Sequence, residues 1–190
     1  MKTSAISERE LADGCAASDR EAQGELYARY AARLYALCFR YVGEREEAQD
    51  LMHDAMIKAM DSFRSFSYTG EGSLYAWLRR LTVNVAIDRL RELSRLRMVP
   101  LDSTVEPDMT ASDDDDDSVS LIPASALMDM IAQLPSVRRA VFNMYCIDGF
   151  SHKEIAAAMN ITEKGSAGIL AKARTQLRKS VNDYLKRSGK

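Results

Sequence analysis

The chain has 190 residues, is 46% hydrophobic and 28% charged, and carries a formal net charge of −2. That length allows one domain or two small ones with real cores. No apolar run reaches the length of a membrane span, and the N-terminal MKTSAISERELADG lacks a signal-peptide hydrophobic region, which points to a cytoplasmic protein without membrane insertion. Residues 20–97 read as helical throughout. Leu26, Tyr30, Leu34, Leu37 and Tyr41 recur at spacings of three and four, an apolar stripe on one helix that Gly43 ends. A second helix over 44–66 opens on acids and buries Ala48, Leu51, Met52, Ala55, Met56, Ala59 and Phe63. Residues 67–73, SYTGEGS, form a loop of turn residues, and a third helix runs from near Ser73 to about Leu96 with Leu74, Leu78, Leu81 and Val85 as its buried stripe. Residues 100–120 carry Pro107 and the run Asp113 to Asp117, with little to bury, and read as a flexible tether. Pro123 restarts order as the first residue of a helix, a break follows at Leu134-Pro135, and Ser136 caps the next helix.

The last segment carries the sharpest pattern. Ser151 with Glu154 three residues on is a capping box, and Ile155, Ala158 and Met159 follow at helical spacing. Asn160-Ile161-Thr162 breaks the run, and Thr162 caps a second helix bearing Lys164, Lys172, Arg174 and Arg178. This is the helix-turn-helix pattern, whose second helix enters the DNA major groove; an ordinary helical hairpin is the plainer alternative. Charge is partitioned accordingly. Residues 135–190 hold eleven Lys or Arg against four acids, and residues 79–97 hold six Arg against two, whereas residues 100–122 hold eight acids and no base.

Enzymatic signatures are missing from the sequence. Cys15, Cys38 and Cys146 contain no CxxC pair, His53 and His152 have no HxxxH partner, and there is no Walker loop, GxGxxG or GxSxG. No catalytic residue, metal or cofactor is expected, and both histidines read as surface or packing residues.

Four blocks in order, Glu25 to Gly43, Ala48 to Met60, Trp77 to Glu92 and Gln133 to Ala156, resemble bacterial RNA polymerase sigma factors of the extracytoplasmic-function group, which keep only sigma domains 2 and 4. The resemblance covers most of the chain. It implies an all-α fold of two small helical domains, domain 2 over residues 1–97 and domain 4 with the helix-turn-helix over 123–190, joined by an acidic flexible linker over 98–122. It also implies a non-enzymatic factor that binds core RNA polymerase, recognises promoter −10 and −35 elements and directs transcription initiation. Anti-sigma partners are common in the family.

The resemblance assigns residues as well. The block from Ala48 to Asp54 would dock onto the clamp helices of the polymerase largest subunit through Asp50, Leu51, His53 and Asp54; a solvated acidic face is the plainer reading. Met56 and Met60 stand where family members carry Phe and Trp, and Met fills irregular gaps. The third helix and its preceding loop would engage the −10 element as single strand, with Arg79, Arg80, Asn84, Asp88 and Arg91 on the helix and Phe66 and Tyr68 as stacking rings in the loop. Those two aromatics could equally be core, and Trp77 reads as packing. The final helix would meet the −35 element, assigning Lys153, Thr162, Lys164, Ser166, Lys172 and Arg174. Here the chain departs from the family's GTVKSR-like segment, carrying Lys164, Gly165, Ser166, Ala167, Gly168 and Ile169 instead, so Ala167 and Gly168 offer no side-chain hydrogen bond to a base edge. Two competing readings are a helix-turn-helix regulator acting without polymerase and a helical adaptor binding only protein. The first module argues against the regulator, and the basic C-terminal module against the adaptor.

Overall fold

Ser7 Oγ accepts from the Glu10 N–H, and the Glu10 carboxylate accepts from the Ser7 N–H in return, so a capping box starts α1 (Glu8–Ala16). The reading from sequence begins its helices at residue 20 and omits this one, although Ser7 and Glu10 repeat the spacing seen at Ser151 and Glu154. The computed structural model describes residues 6–96 and 122–188. After α1 come α2 (Arg20–Val42), α3 (Arg45–Ser62), α4 (Ser73–Leu96), α5 (Ala124–Ala132), α6 (Ser136–Phe142), α7 (His152–Met159) and α8 (Glu163–Ser188). All regular structure among the described residues is helical, and no described helix is long and apolar enough to cross a membrane. The acidic run and nearly all of the expected linker lie outside the described residues. Two compact units result, Met1–Ala86 and Ile87–Lys190, with the division inside α4.

In the first unit, Asp19 caps α2, and Gly43 ends it in the left-handed region at φ 76°, with its N–H on the Phe39 carbonyl at 2.8 Å. Glu44 lies just outside α3 and caps it by accepting from the Glu47 and Glu46 N–H groups, bonds that hold its carboxyl below the usual carboxylate range. Helix α3 stops at Ser62, short of the expected Phe66, and a 3-10 turn, Phe63–Ser65, follows. The Ser65 hydroxyl donates to the Ser62 carbonyl at 2.7 Å and competes with a further α-turn there. Helices α2 and α3 pack along the anticipated stripes, with Leu26, Leu34, Tyr41, Ala48, Leu51 and Ala59 buried. Each fully buried leucine contributes about 2 kcal/mol. Burial pushes the Cys15 thiol up to about 11 and the Cys38 thiol up to about 12, so neither is a nucleophile near neutral pH.

Helix α4 departs from its expected stripe. Leu74 and Leu78 are buried, but Leu81 and Val85 are only half-buried, and Thr82, Val83, Ala86 and Ile87 take the interior positions instead. On a 3.6-residue period Leu81 and Val85 stay within about 20° of Leu74, so the interior has moved to a neighbouring face of α4 rather than the stripe having slipped in phase. The Thr82 hydroxyl is satisfied by donating to the Leu78 carbonyl at 2.8 Å.

In the second unit, Pro123 and Pro135 stand just before α5 and α6, in extended geometry with ψ 137° and 141°. Pro123 is therefore the residue preceding the helix rather than its first, and Ser136 is the first helical residue and makes no side-chain cap. The largely buried Arg139 donates to the Ala132 carbonyl at the end of α5, which ties α6 to it. Ile122, Met130, Ile131 and Leu134 pack with Ala173, Leu177 and Val181 of α8. A π-helical turn, Asn143–Ile147, links α6 to Gly149, whose φ of 75° turns the chain into α7.

Helix α1 approaches α2 closely where Gly14 faces Ala22: a β-carbon built at Gly14 would lie 2.6 Å from the Ala22 β-carbon. Gly14→Ala should therefore lose stability, since overpacking of roughly 1–3 kcal/mol outweighs the helix-propensity gain of about 1 kcal/mol. Urea unfolding of the full chain checks the sign.

Candidate functional site

Four side-chain groups assigned from sequence fall on defined surfaces, three in the first half of the chain and one in the last. On α3, Asp50 and Asp54 are exposed one turn apart. His53 beside them is half-buried: its ring stacks on Tyr27 of α2 with centroids 6.3 Å apart, and Nε2 shares a hydrogen bond with the Tyr27 hydroxyl at 3.3 Å. Tyr27 is 43% exposed and Ile57, one turn beyond Asp54, is 62% exposed, so the face is acidic with apolar and aromatic ground around it.

The second group is the loop before α4. Trp77 is half-buried, and its ring centroid lies 5.1 Å from those of Phe63 and Phe66, so Phe66 is tied into an aromatic cluster. Tyr68 is also half-buried, with the Arg9 guanidinium 5.9 Å from its ring centroid. The third group lies along α4. Arg80, Asn84 and Asp88 are exposed, while Arg79 and Arg91 are half-buried, and Arg91 pairs with Asp88 at 3.4 Å.

The fourth group is the helix-turn-helix. Ser151 and Glu154 form the full capping box of α7. Asn160 ends that helix in the left-handed region at φ 55°, a conformation Asn tolerates better than most residues. Thr162 Oγ1 accepts from the Gly165 N–H at 2.9 Å and caps α8. Despite Gly165 and Gly168, α8 runs unbroken. Lys164, Ala167, Arg174 and Arg178 are exposed at spacings of three, seven and four, which places them on one face with the half-buried Ala171 between. Lys153 is exposed on α7, and Lys172 is half-buried beside the α8 face.

Behind that face, the His152 ring stacks on Tyr145 with centroids 4.4 Å apart, and its Nδ1 shares a hydrogen bond with Ser166 Oγ at 3.0 Å. The Arg174 guanidinium lies 5.9 Å from the Tyr145 ring centroid.

Comparison with known proteins identifies the family of both parts of the chain. Sigma-70 region 2 matches residues 26–96, and sigma-70 region 4 matches residues 124–177. The chain belongs to the sigma-70 family, in its extracytoplasmic-function group. It is 30% identical over 164 residues to the ECF RNA polymerase sigma factor SigE of Mycolicibacterium smegmatis, across 85% of this chain and 60% of that protein. It is 28% identical over 175 residues to the ECF RNA polymerase sigma factor SigW of Bacillus subtilis, across 87% of this chain and 91% of that protein. The chain thus spans less than two thirds of the first relative and nearly all of the second. Its fold is similar to that of the sigma factor RpoE of Bartonella quintana, solved in complex with the anti-sigma factor NepR, with a TM-score of 0.51 at 17% identity, covering 84% of this chain and 96% of that one.

Two of the assigned residues of this sigma factor face inward. Leu51 is 1% exposed in the α2–α3 core and has no surface to offer a polymerase. Ser166 is fully buried, held by His152, and cannot reach a base edge. The apolar period of α3 already put Leu51 inside. The burial of Ser166 follows from its place four residues before Leu170 and seven before Ala173, both interior positions on the same face of α8. Sequence reasoning missed Tyr27, Ile57, Tyr145 and the hydrogen-bonding of His152, whose signals are tertiary.

Adjacent positions on α8 should respond oppositely to the same change. Ser166→Arg would bury a charge and destabilise the domain by roughly 3 kcal/mol or more. Ala167→Arg should leave stability within about 0.5 kcal/mol, as for an ordinary surface position. Thermal melts of the two variants compare them directly.

Proposed function

We propose that this chain directs promoter-specific transcription initiation, using its first domain to join core RNA polymerase and hold the opened −10 strand, and its second to hold the −35 element. One observation carries the reading: a helix-turn-helix with a basic exposed face follows, in the same chain, a region 2 body that a free-standing DNA regulator does not need. Domain 2 is taken as residues 1–97, a linker as 98–122 and domain 4 as 123–190. All of α4 counts functionally with domain 2, because the region 2 match continues to residue 96.

The partner of the Asp50, His53 and Asp54 face is the clamp-helix surface of the largest polymerase subunit, with Tyr27 and Ile57 widening the contact. Carboxylates one turn apart suit arginines on a facing helix. On α4, Arg79, Arg80 and Arg91 bind phosphates while Asn84 reads an unpaired base. Phe66 and Tyr68 frame the base pocket. In domain 4, Lys153, Lys164, Lys172 and Arg174 neutralise phosphates, Thr162 fixes the start of the recognition helix, and Ala167 at the centre of the exposed face meets a thymine methyl at most. The factor acts in the cytoplasm and performs no chemistry of its own. An anti-sigma factor is a further proposed partner.

Run-off transcription with purified core polymerase and genomic promoters tests the whole reading; no transcript above that of core alone would overturn it. In the same assay, Asp50→Arg with Asp54→Arg turns an attractive face repulsive and should weaken core binding by a few kcal/mol. Wild-type affinity in that variant would remove the clamp assignment.

The α8 charges give a separate expectation. Neutralising Lys172 and Arg174 together should lower affinity about equally for every −35 sequence and reduce the salt slope by about two counterions. Filter binding across a salt series measures both quantities.

A further inference from the structure

Glu8, the first residue of α1, reaches 64 and 66 residues along the chain to the turn that opens α4. Its Oε2 accepts from the Gly72 N–H at 2.7 Å, and its Oε1 accepts from the Leu74 N–H at 2.6 Å. A helix start leaves N–H groups without intrahelical partners, and a carboxylate there is favoured both as an acceptor and by the helix dipole. Here that carboxylate comes from a different helix.

The turn it holds is built around two glycines. Gly70 and Gly72 have φ of 141° and 86°, and a β-carbon at either would meet nothing within 4 Å. Such positions are permissive, so the turn's shape depends on the bonds imposed on it. Ser73 supplies bonds from within: its Oγ donates to the Gly70 carbonyl at 2.6 Å, its N–H donates to the same carbonyl at 3.1 Å, and its Oγ accepts from the Thr69 N–H at 3.4 Å. Glu8 supplies two from outside.

The neighbours of Glu8 reinforce the connection. Arg9, the next residue, lies over the Tyr68 ring. Arg29 donates to the Ile6 carbonyl at 2.9 Å and anchors the chain entering α1. Tyr30, whose phenol is pushed upward first by burial and then by the Glu8 charge, stacks on Tyr75 in the first turn of α4, with ring centroids 5.9 Å apart. The loop's far end is pinned separately, by Phe66 on Trp77. Between these anchors Ser67, Thr69 and Glu71 are exposed. The loop is therefore a short span clamped at both ends, and one clamp belongs to α1.

We propose that Glu8 is a positioning residue for −10 recognition: by bonding the Gly72 and Leu74 N–H groups it fixes the 66–73 loop in the shape that receives an extruded base, so that α1 belongs to the strand-opening machinery. The inference rests on the −10 role assigned to this loop above. Helix α1 lies outside the region 2 match, which begins at residue 26.

The test uses holoenzyme assembled from core polymerase and the full-length chain. Affinity is measured for single-stranded −10 oligonucleotides in which each base is changed in turn, alongside core affinity and binding to duplex −35 DNA. Wild type should prefer its best base at the loop-held position by roughly tenfold, the scale of a single mismatch. Glu8→Ala should flatten that preference to within about threefold while core and −35 binding stay within about twofold. Glu8→Gln keeps one acceptor oxygen and should fall between. A variant that loses affinity for every oligonucleotide alike, with the preference intact, overturns the proposal and leaves Glu8 as a fold contact only; so does a variant indistinguishable from wild type. If Glu8→Ala does not fold, the nearly isosteric Glu8→Gln decides on the same readout. Failure of the underlying reading is distinct, because the wild-type holoenzyme itself would then show no base preference.

Discussion

Helix starts govern this molecule. Each of the eight α-helices among the described residues opens with N–H groups that have no partner within the helix. Ser7, Asp19, Glu44, Ser151 and Thr162 satisfy them locally for α1, α2, α3, α7 and α8, and prolines precede α5 and α6. Helix α4 takes its acceptor from Glu8 of α1. Four of these helices have nine residues or fewer, and isolated helices that short are marginal in water. Their boundaries therefore depend on capping, and the boundaries decide which side chains face outward. Thr162 illustrates the chain of cause. Its cap sets the first turn of α8, and that turn's phase puts Lys164 and Ala167 outside and Ser166 inside.

Much of the fold could be read from sequence because its determinants are local. The α2 stripe, the Gly43 stop, the Ser151 capping box and the Asn160 turn each lie within a few residues of what they control. The same spacing at Ser7 and Glu10 marks the start of α1, whose apolar stripe of Leu11, Ala12 and Cys15 is too short to stand out by periodicity. Helix α4 shows a different limit. Leu81 and Val85 keep the phase of Leu74, yet Thr82, Val83, Ala86 and Ile87 are the buried positions, because which face of a helix is covered depends on what packs against it and not on its own period.

The site was readable in outline and less so in detail. Exposed charges such as Asp50, Asp54, Lys164 and Arg174 follow from helix phase once the buried stripe is known. Contacts between distant segments do not. Nothing in the sequence pairs Glu8 with Gly72, Tyr27 with His53, or His152 with Ser166, since each pair meets only after the helices pack. Leu51 shows that matching a family block assigns a position without stating its direction. Its apolar spacing carried that information, and the core uses it.

Helix α8 juxtaposes two kinds of position. Ser166 is wedged against His152, which also stacks on Tyr145, so three segments constrain it together. Ala167 touches none of these and stands in open solvent between Lys164 and Arg174. A lineage carrying this domain can therefore vary the chemistry of that surface by drift at one site while purifying selection for folding acts on its neighbour. Divergence of the exposed face and maintenance of the fold become separable over evolutionary time, with the boundary between them one peptide bond wide.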